Sequence, residues 1–180
     1  NNDARELYSE RIRAIEWFEK NKPDDFDLYG MGWDMANFHR PFGRLNRFKK
    51  LRKLFAKKFK SYSGKVNSKK ETLSKYKFCI CYENAKEIPG YITEKIFDCL
   101  FSGCIPIYLG APNISDYIPS NCYIDKNQYD SYDLLYDAIK NIDEKTYNEY
   151  IGNIDAFLKG EQMQIFSAET FAYTIIKNLE

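Results

Sequence analysis

Between Tyr76 and Gly110 the hydrophobic and polar positions fall into blocks that predict a strand, a polar loop, a helix and a second strand. Phe78–Tyr82 is a short apolar and aromatic run of the kind that forms a buried strand. Pro89-Gly90 breaks the chain, and Thr93 stands where it can cap a helix whose first turn carries Glu94 and Lys95. Ile96, Phe97, Leu100 and Phe101 recur at helical spacing, Gly103 supplies a stop, and Ile105–Leu109 is a second apolar run closed by Gly110-Ala111-Pro112. That order is a βαβ unit, which requires a parallel sheet. Elsewhere the spacing predicts strands at Phe26–Tyr29 and Tyr123–Asp125. Helices are predicted near 4–20, 44–60, 93–102, 131–141, 144–158 and 167–178, with no internal repeat.

The chemistry crowds the point where the loop enters the helix. A cation in a helix's first turn opposes the macrodipole at a cost of about 0.3–1 kcal/mol, so Lys95 is out of place unless an anion binds beside it. Glu94 suits the dipole, and its two acceptor oxygens match a vicinal diol, the arrangement by which nucleotide folds hold ribose next to a diphosphate. The plain alternative is a solvated Glu-Lys pair on a surface helix. Neither residue belongs to the apolar stripe, so substituting either is expected to spare the fold. Asp25-Phe26-Asp27 matches an Asp-x-Asp metal pattern, but it enters a strand instead of leaving one and reads as a strand entry. Asn113-Ile114-Ser115 is a formal glycosylation sequon that reads as a turn.

YKFCICYEN, GYITEKIFDCLFSG and IPIYLGAPNISDYIP together resemble the α-1,3/1,4-fucosyltransferases, family ten of the glycosyltransferases. Their donor-site signature runs YKF, a strand ending in FEN or YEN, a Tyr-(Ile/Val)-Thr-Glu-Lys helix start, then (V/I)P(V/I)-x-x-G. The resemblance thins upstream of Lys65 and downstream of Asp125. It implies an α/β fold, a Rossmann-like parallel sheet flanked by helices, corresponding to the C-terminal, donor-binding domain of a GT-B glycosyltransferase. The implied reaction is inverting transfer of L-fucose from GDP-fucose to a hydroxyl of N-acetylglucosamine or glucose in a glycan.

The same resemblance implies a donor site of Arg11, Asn84, Tyr91, Thr93, Glu94 and Lys95. Arg11 sits in SERIRAIEWF, which resembles the family's Ser-x-Arg helix. A guanidinium is a natural bidentate partner for diphosphate oxygens. Arg13, two residues on, is the alternative for that role, and a merely solvated face is the other. Lys95 and Arg11 would stabilise the departing GDP without a metal, Glu94 would hold ribose, and Asn84 and Tyr91 would position diphosphate and sugar. No catalytic base is identified. The family's base lies in an N-terminal half, so the chain reads as a single donor-binding domain over 1–180, inactive in transfer by itself. A catalytically silent GDP-sugar binding module, or a transferase using another GDP-sugar, are the alternatives.

Composition narrows the rest. The chain has 180 residues, 44% hydrophobic and 17% aromatic, which supports a packed core, and a net charge of +1 gives no general pull toward nucleic acid. No run approaches the ~20 apolar residues of a membrane span, no signal peptide is evident, and a start at Asn1 fits a fragment. Five cysteines without a CxxC, and a single histidine, His39, predict free buried thiols, no metal site, no cofactor and a cytoplasmic setting. Residues 40–70 carry thirteen Lys and Arg and no acid. Within them Leu45, Phe48, Leu51, Leu54, Phe55 and Phe59 share roughly half of a predicted helix. Arg44–Lys60 is thus either a helix packed on the sheet with a solvated basic back or a surface for an anionic membrane at its inner face.

Overall fold

A computed structural model describes residues 4–38 and 41–177; His39 lies outside them. They fall into two compact units, one formed by the residues up to Leu7 with those from Lys69 onward, the other by Tyr8–Ser68.

The first unit is α/β. Its sheet has three parallel strands in the order β1 (Phe78–Tyr82), β2 (Ile105–Leu109), β3 (Ile124–Asp125), with register pairs Phe78 to Ile105, Tyr82 to Leu109 and Ile107 to Ile124. The two longer strands are the predicted ones; the third begins one residue later than predicted. Every residue of the central strand β2 is buried, the expected state for a parallel strand covered on both faces. Pro106 is tolerated there because the Ile105 N–H already bonds Lys77 O on the β1 side. Residue 106 therefore faces the β3 side, where pairing begins only at Ile107.

Five helices of this unit accompany the sheet in the chain order α3 (Lys69–Leu73), α4 (Glu94–Leu100), α5 (Tyr132–Lys140), α6 (Glu144–Lys159) and α7 (Ala168–Lys177); α1 (Tyr8–Asn21) and α2 (Lys49–Leu54) belong to the second unit. Crossover helix α4 packs on β1 and β2 and buries Ile96, Cys99 and Leu100. Gly103, at φ 67°, ends it in the left-handed region that favours glycine. Ser131 caps α5 through a 3.1 Å bond from Leu134 N–H, and Asp143 caps α6 through a 2.8 Å bond from Thr146 N–H. The core gathers Ile96, Ile105, Ile107, Ile118, Leu135 and Phe157. All five cysteines are free, four of them fully buried, and they fill this core as small apolar groups.

Residues 5–7 do not begin the first helix as predicted. Leu7 N–H bonds Asn84 O at 3.0 Å, Lys86 N–H bonds Arg5 O at 2.8 Å, and Glu6 pairs antiparallel with Ala85. The loop after β1 offers an unpaired backbone edge, and satisfying it outweighs one more turn of α1.

In the second unit α1 buries Ala14, Ile15 and Phe18, and Phe18 stacks on Phe26 with centroids 5.1 Å apart. The predicted strand Phe26–Tyr29 is corrected to a single parallel bridge, Leu28 to Tyr62, flanked by glycines at positive φ, Gly30, Gly32 and Gly64. These bends stop the pairing before a ladder forms. The predicted helix 44–60 is likewise corrected to a tight turn at Phe42–Arg47 and the six-residue α2. Asn46 clamps both backbone groups of Phe38 at 2.8 Å, and Phe48 between the two segments is extended. A cationic run without acidic partners at i+4 adds repulsion along a continuous helix. Its apolar residues are not gathered into a core: Phe48, Leu54 and Phe55 are exposed.

Candidate functional site

Sheet topology fixes where a ligand site can form in the first unit. In open parallel sheets, ligands gather at the carboxyl ends of the strands. At that end of β1 stands Glu83, the one buried charged residue among those described, with 0% of its surface exposed. Its N–H still bonds Leu109 O at 2.8 Å, so its backbone belongs to the sheet.

Its carboxylate is fully engaged. Thr93 N–H donates to Oε1 at 2.8 Å, Thr93 Oγ1 donates to Oε2 at 2.7 Å, and Lys95 Nζ donates to Oε2 at 3.0 Å. Lys95 Nζ also donates to Thr93 Oγ1 at 2.8 Å, which closes the ring. A buried carboxylate is costly unless it is paired and hydrogen-bonded, and here it is both. Gly110 makes room for it. A Cβ at that position would lie 2.6 Å from Glu83 Cγ and 2.5 Å from the Tyr108 hydroxyl, closer than packed atoms come. Burial, and the Glu83 charge nearby, push the Tyr108 hydroxyl well above the usual tyrosine range, while its bond from Ala111 N–H at 3.0 Å works the other way.

This network explains the oddity of Lys95 from within the protein. Its ammonium answers Glu83, and its bonds to Glu83 and Thr93 take up two of its three N–H groups. Lys95 remains 28% exposed. The network also corrects the expected cap. Thr93 occupies the N-cap position of α4 but makes no capping bond with its side chain, because its hydroxyl goes to Glu83, the stronger, charged acceptor.

The loop between β1 and α4 is held from several sides. Gly90, at φ 72°, donates its N–H to Asn113 Oδ1 at 2.8 Å, and Asn113 in turn donates to Asp116 at 3.0 Å. The sequon asparagine thus works as a turn residue. Tyr91 N–H closes the Pro89-Gly90 turn on Ile88 O at 3.1 Å. Glu87 is the one non-glycine residue described at positive φ, 61°, a conformation that costs roughly 1 kcal/mol or more and clusters at functional loops.

A sequence profile described as glycosyltransferase family 10 (fucosyltransferase), C-terminal, matches residues 31–167, which take in β1, this loop, α4 and β2. The chain belongs to glycosyltransferase family 10. Among similar proteins, an alpha-(1,3)-fucosyltransferase FucT of Helicobacter pylori is 40% identical over 75 residues, 42% of this chain and 16% of that protein. An alpha-(1,4)-fucosyltransferase of Arabidopsis thaliana is 39% identical over 80 residues, 43% of this chain and 20% of that protein. A GDP-fucose protein O-fucosyltransferase 3 of Xenopus laevis is 49% identical over 49 residues, 27% of this chain and 10% of that protein. The matched stretches are thus a minor part of each relative's length. A solved alpha1,3-fucosyltransferase with GDP shares 34% identity at a TM-score of 0.45, covering 49% of this chain and 26% of that one.

In this family-10 chain, Asn84, Tyr91, Thr93, Glu94 and Lys95 all lie on the β1–loop–α4 segment of the first unit. Asn84 and Tyr91 are half-buried and Glu94 is exposed at the first position of α4. Arg11 belongs to α1 of the other unit, half-buried, with its guanidinium 4.9 Å from the Tyr8 ring centroid. Arg13 is exposed and paired with Glu10 at 3.0 Å. Sequence reasoning missed Glu83 although it quoted the YEN motif. Two signals pointed to it: an acid closing an apolar strand, and a first-turn lysine that lacked an anion.

Proposed function

We propose that this chain is the donor-binding half of a fucosyltransferase, binding GDP-fucose for inverting transfer of L-fucose to a hydroxyl of N-acetylglucosamine or glucose in a glycan. The observation that carries this reading is the fixed ammonium of Lys95 at the carboxyl ends of the parallel strands, inside the segment matched to the family. The relatives support it by contrast: their names differ in linkage and acceptor, while fucose transfer is common to them.

In the proposed complex, Lys95 meets the diphosphate, and Glu94 accepts the ribose hydroxyls. Asn84 and Tyr91 position diphosphate and sugar, and Thr93 holds the helix entry. As the sugar acquires oxocarbenium character, negative charge grows on GDP, and fixed donors aimed at the diphosphate lower that barrier. No metal is needed for that role. The proton acceptor for the incoming hydroxyl belongs to a partner half that completes the cleft. The chain alone therefore binds donor without appreciable transfer.

Calorimetric titration with GDP, GDP-fucose and UDP, each with and without EDTA, tests the reading. Binding of both guanine nucleotides, weak UDP binding and indifference to EDTA are expected. Equal affinity for UDP, or affinity abolished by EDTA and restored by manganese, would refute it. Binding of GDP alone, with no gain from fucose, would favour another GDP-sugar. For the exposed Phe48, Leu54 and Phe55 beside Lys49 and Lys50, the fitting partner is an anionic lipid surface at the cytoplasmic face of a membrane. No helix among the described residues is long and apolar enough to cross one.

A further inference from the structure

We propose that Glu83 is a positioning residue of this site: it holds the Lys95 ammonium as an oriented, charge-compensated donor, so the site selects a phosphate by direction more than by net positive charge. The proposal rests on the reading that Lys95 meets the donor's diphosphate.

A lysine is ordinarily a mobile point charge on a flexible stem. Lys95 is not free in that way. Two of its N–H groups are directed to Glu83 Oε2 and Thr93 Oγ1, at 3.0 and 2.8 Å, so the direction of the third is set. Glu83 can impose that direction because it is itself immobile. Its backbone is bonded into the sheet, its side chain is wholly buried, and Thr93 holds both of its oxygens. Gly110 and Tyr108 close the remaining space around it. Glu83 and Lys95 sum to zero charge, so attraction for a diphosphate comes from the aimed N–H. Pre-aimed donors of this kind need no reorganisation when the ligand arrives.

A counter-intuitive result follows. Glu83→Gln makes the site more positive by one charge, yet it should weaken GDP binding. Gly110→Ala keeps every charge but pushes the carboxylate aside, and it should weaken binding as well. Each loss is expected to be roughly tenfold, the weight of one charge-assisted hydrogen bond. Thr93→Val, at the half-buried entry of α4, removes the shared hydroxyl and serves where a fully buried substitution fails to fold.

The lock has a readout that needs no nucleotide. Reductive methylation followed by peptide mass spectrometry compares Lys95 with Lys145, whose side chain is 84% exposed, within the same folded molecule. Lys95 should label more slowly than Lys145 in the unmodified chain and approach it in all three variants, folding being checked by circular dichroism. Lys95 labelling that no variant changes overturns the lock. Faster labelling with unchanged or tighter GDP affinity overturns the positioning role. A parent chain that binds no GDP overturns the donor site itself, and the labelling data distinguish that failure from the other two.

Discussion

Replacing Lys95 with methionine tests the energetic core of the site. Methionine retains the apolar stem and removes the ammonium, leaving Glu83 buried at 0% exposure with Thr93 as its partner. Stripping one member from a buried ion pair costs about 3–5 kcal/mol, and losing one hydrogen bond to a charged group about 1.5–3 kcal/mol. Lys95 is 28% exposed, so water can enter where the ammonium stood and recover part of the solvation, which favours the lower range. We expect a destabilisation of about 2 kcal/mol, or roughly 4–8 °C in Tm for a chain of this size. The expectation from the sequence pattern, that substitution of Lys95 spares the fold, is revised accordingly. Urea and thermal unfolding would measure the loss. Adding Glu83→Gln to Lys95→Met removes the orphaned charge and should restore at least half of the stability. A single variant within about 0.5 kcal/mol of the parent chain, the range of ordinary surface substitutions, would refute this account of Glu83. So would a double variant no more stable than Lys95→Met.

Further predictions concern other parts of the chain. Glu94→Ala should weaken GDP binding by about 1.5 kcal/mol, near tenfold, without lowering Tm, since Glu94 is exposed and outside the Glu83 network; calorimetry and melting on one preparation check both halves. The Thr146 N–H bond holds the Asp143 carboxyl below its ordinary 3.8, so its contribution is present above that value and lost as pH falls through the lower, folded one. Asp143→Asn should therefore melt below the parent chain near neutral pH and converge with it under strong acid; a gap unchanged to pH ~2.5 would count against the cap. Burial pushes the Cys122 thiol up to about 11, so native iodoacetamide labelling at pH 8 should be at least ~100-fold slower than in urea; equal rates would show that the thiol is reachable. Vesicles containing anionic lipid should retain the chain at low salt and lose it when Phe48 and Leu54 become Ser, whereas neutral vesicles should not retain it. Retention unaffected by the two substitutions would exclude that surface.

The local pattern of the chain determined the βαβ unit, its two long strands and the closing helices. Apolar periodicity over Phe78–Tyr82, Ile96–Phe101 and Ile105–Leu109 leaves few other ways to bury those residues. Ser131 and Asp143 carry their capping signals locally, and Gly103 carries its stop. The motif run around Asn84, Tyr91 and Lys95 was equally legible, because its chemistry is contiguous in the chain. Three other features depended on contacts remote in sequence. Whether residues 5–7 continue α1 was settled by the backbone edge of residues 84–86. Whether 44–60 forms one helix was settled by the grip of Asn46 on Phe38 and of Arg52 on Ala36 O. Whether Thr93 caps its helix or serves Glu83 was settled by a strand end ten positions earlier, which the sheet register carries next to Gly110. Periodicity reports which face of an element is apolar; it does not report which buried charge the fold will bring opposite a lysine. That pairing arises only once β1 and α4 share one end of a parallel sheet, where desolvation makes an unpaired carboxylate too costly to keep.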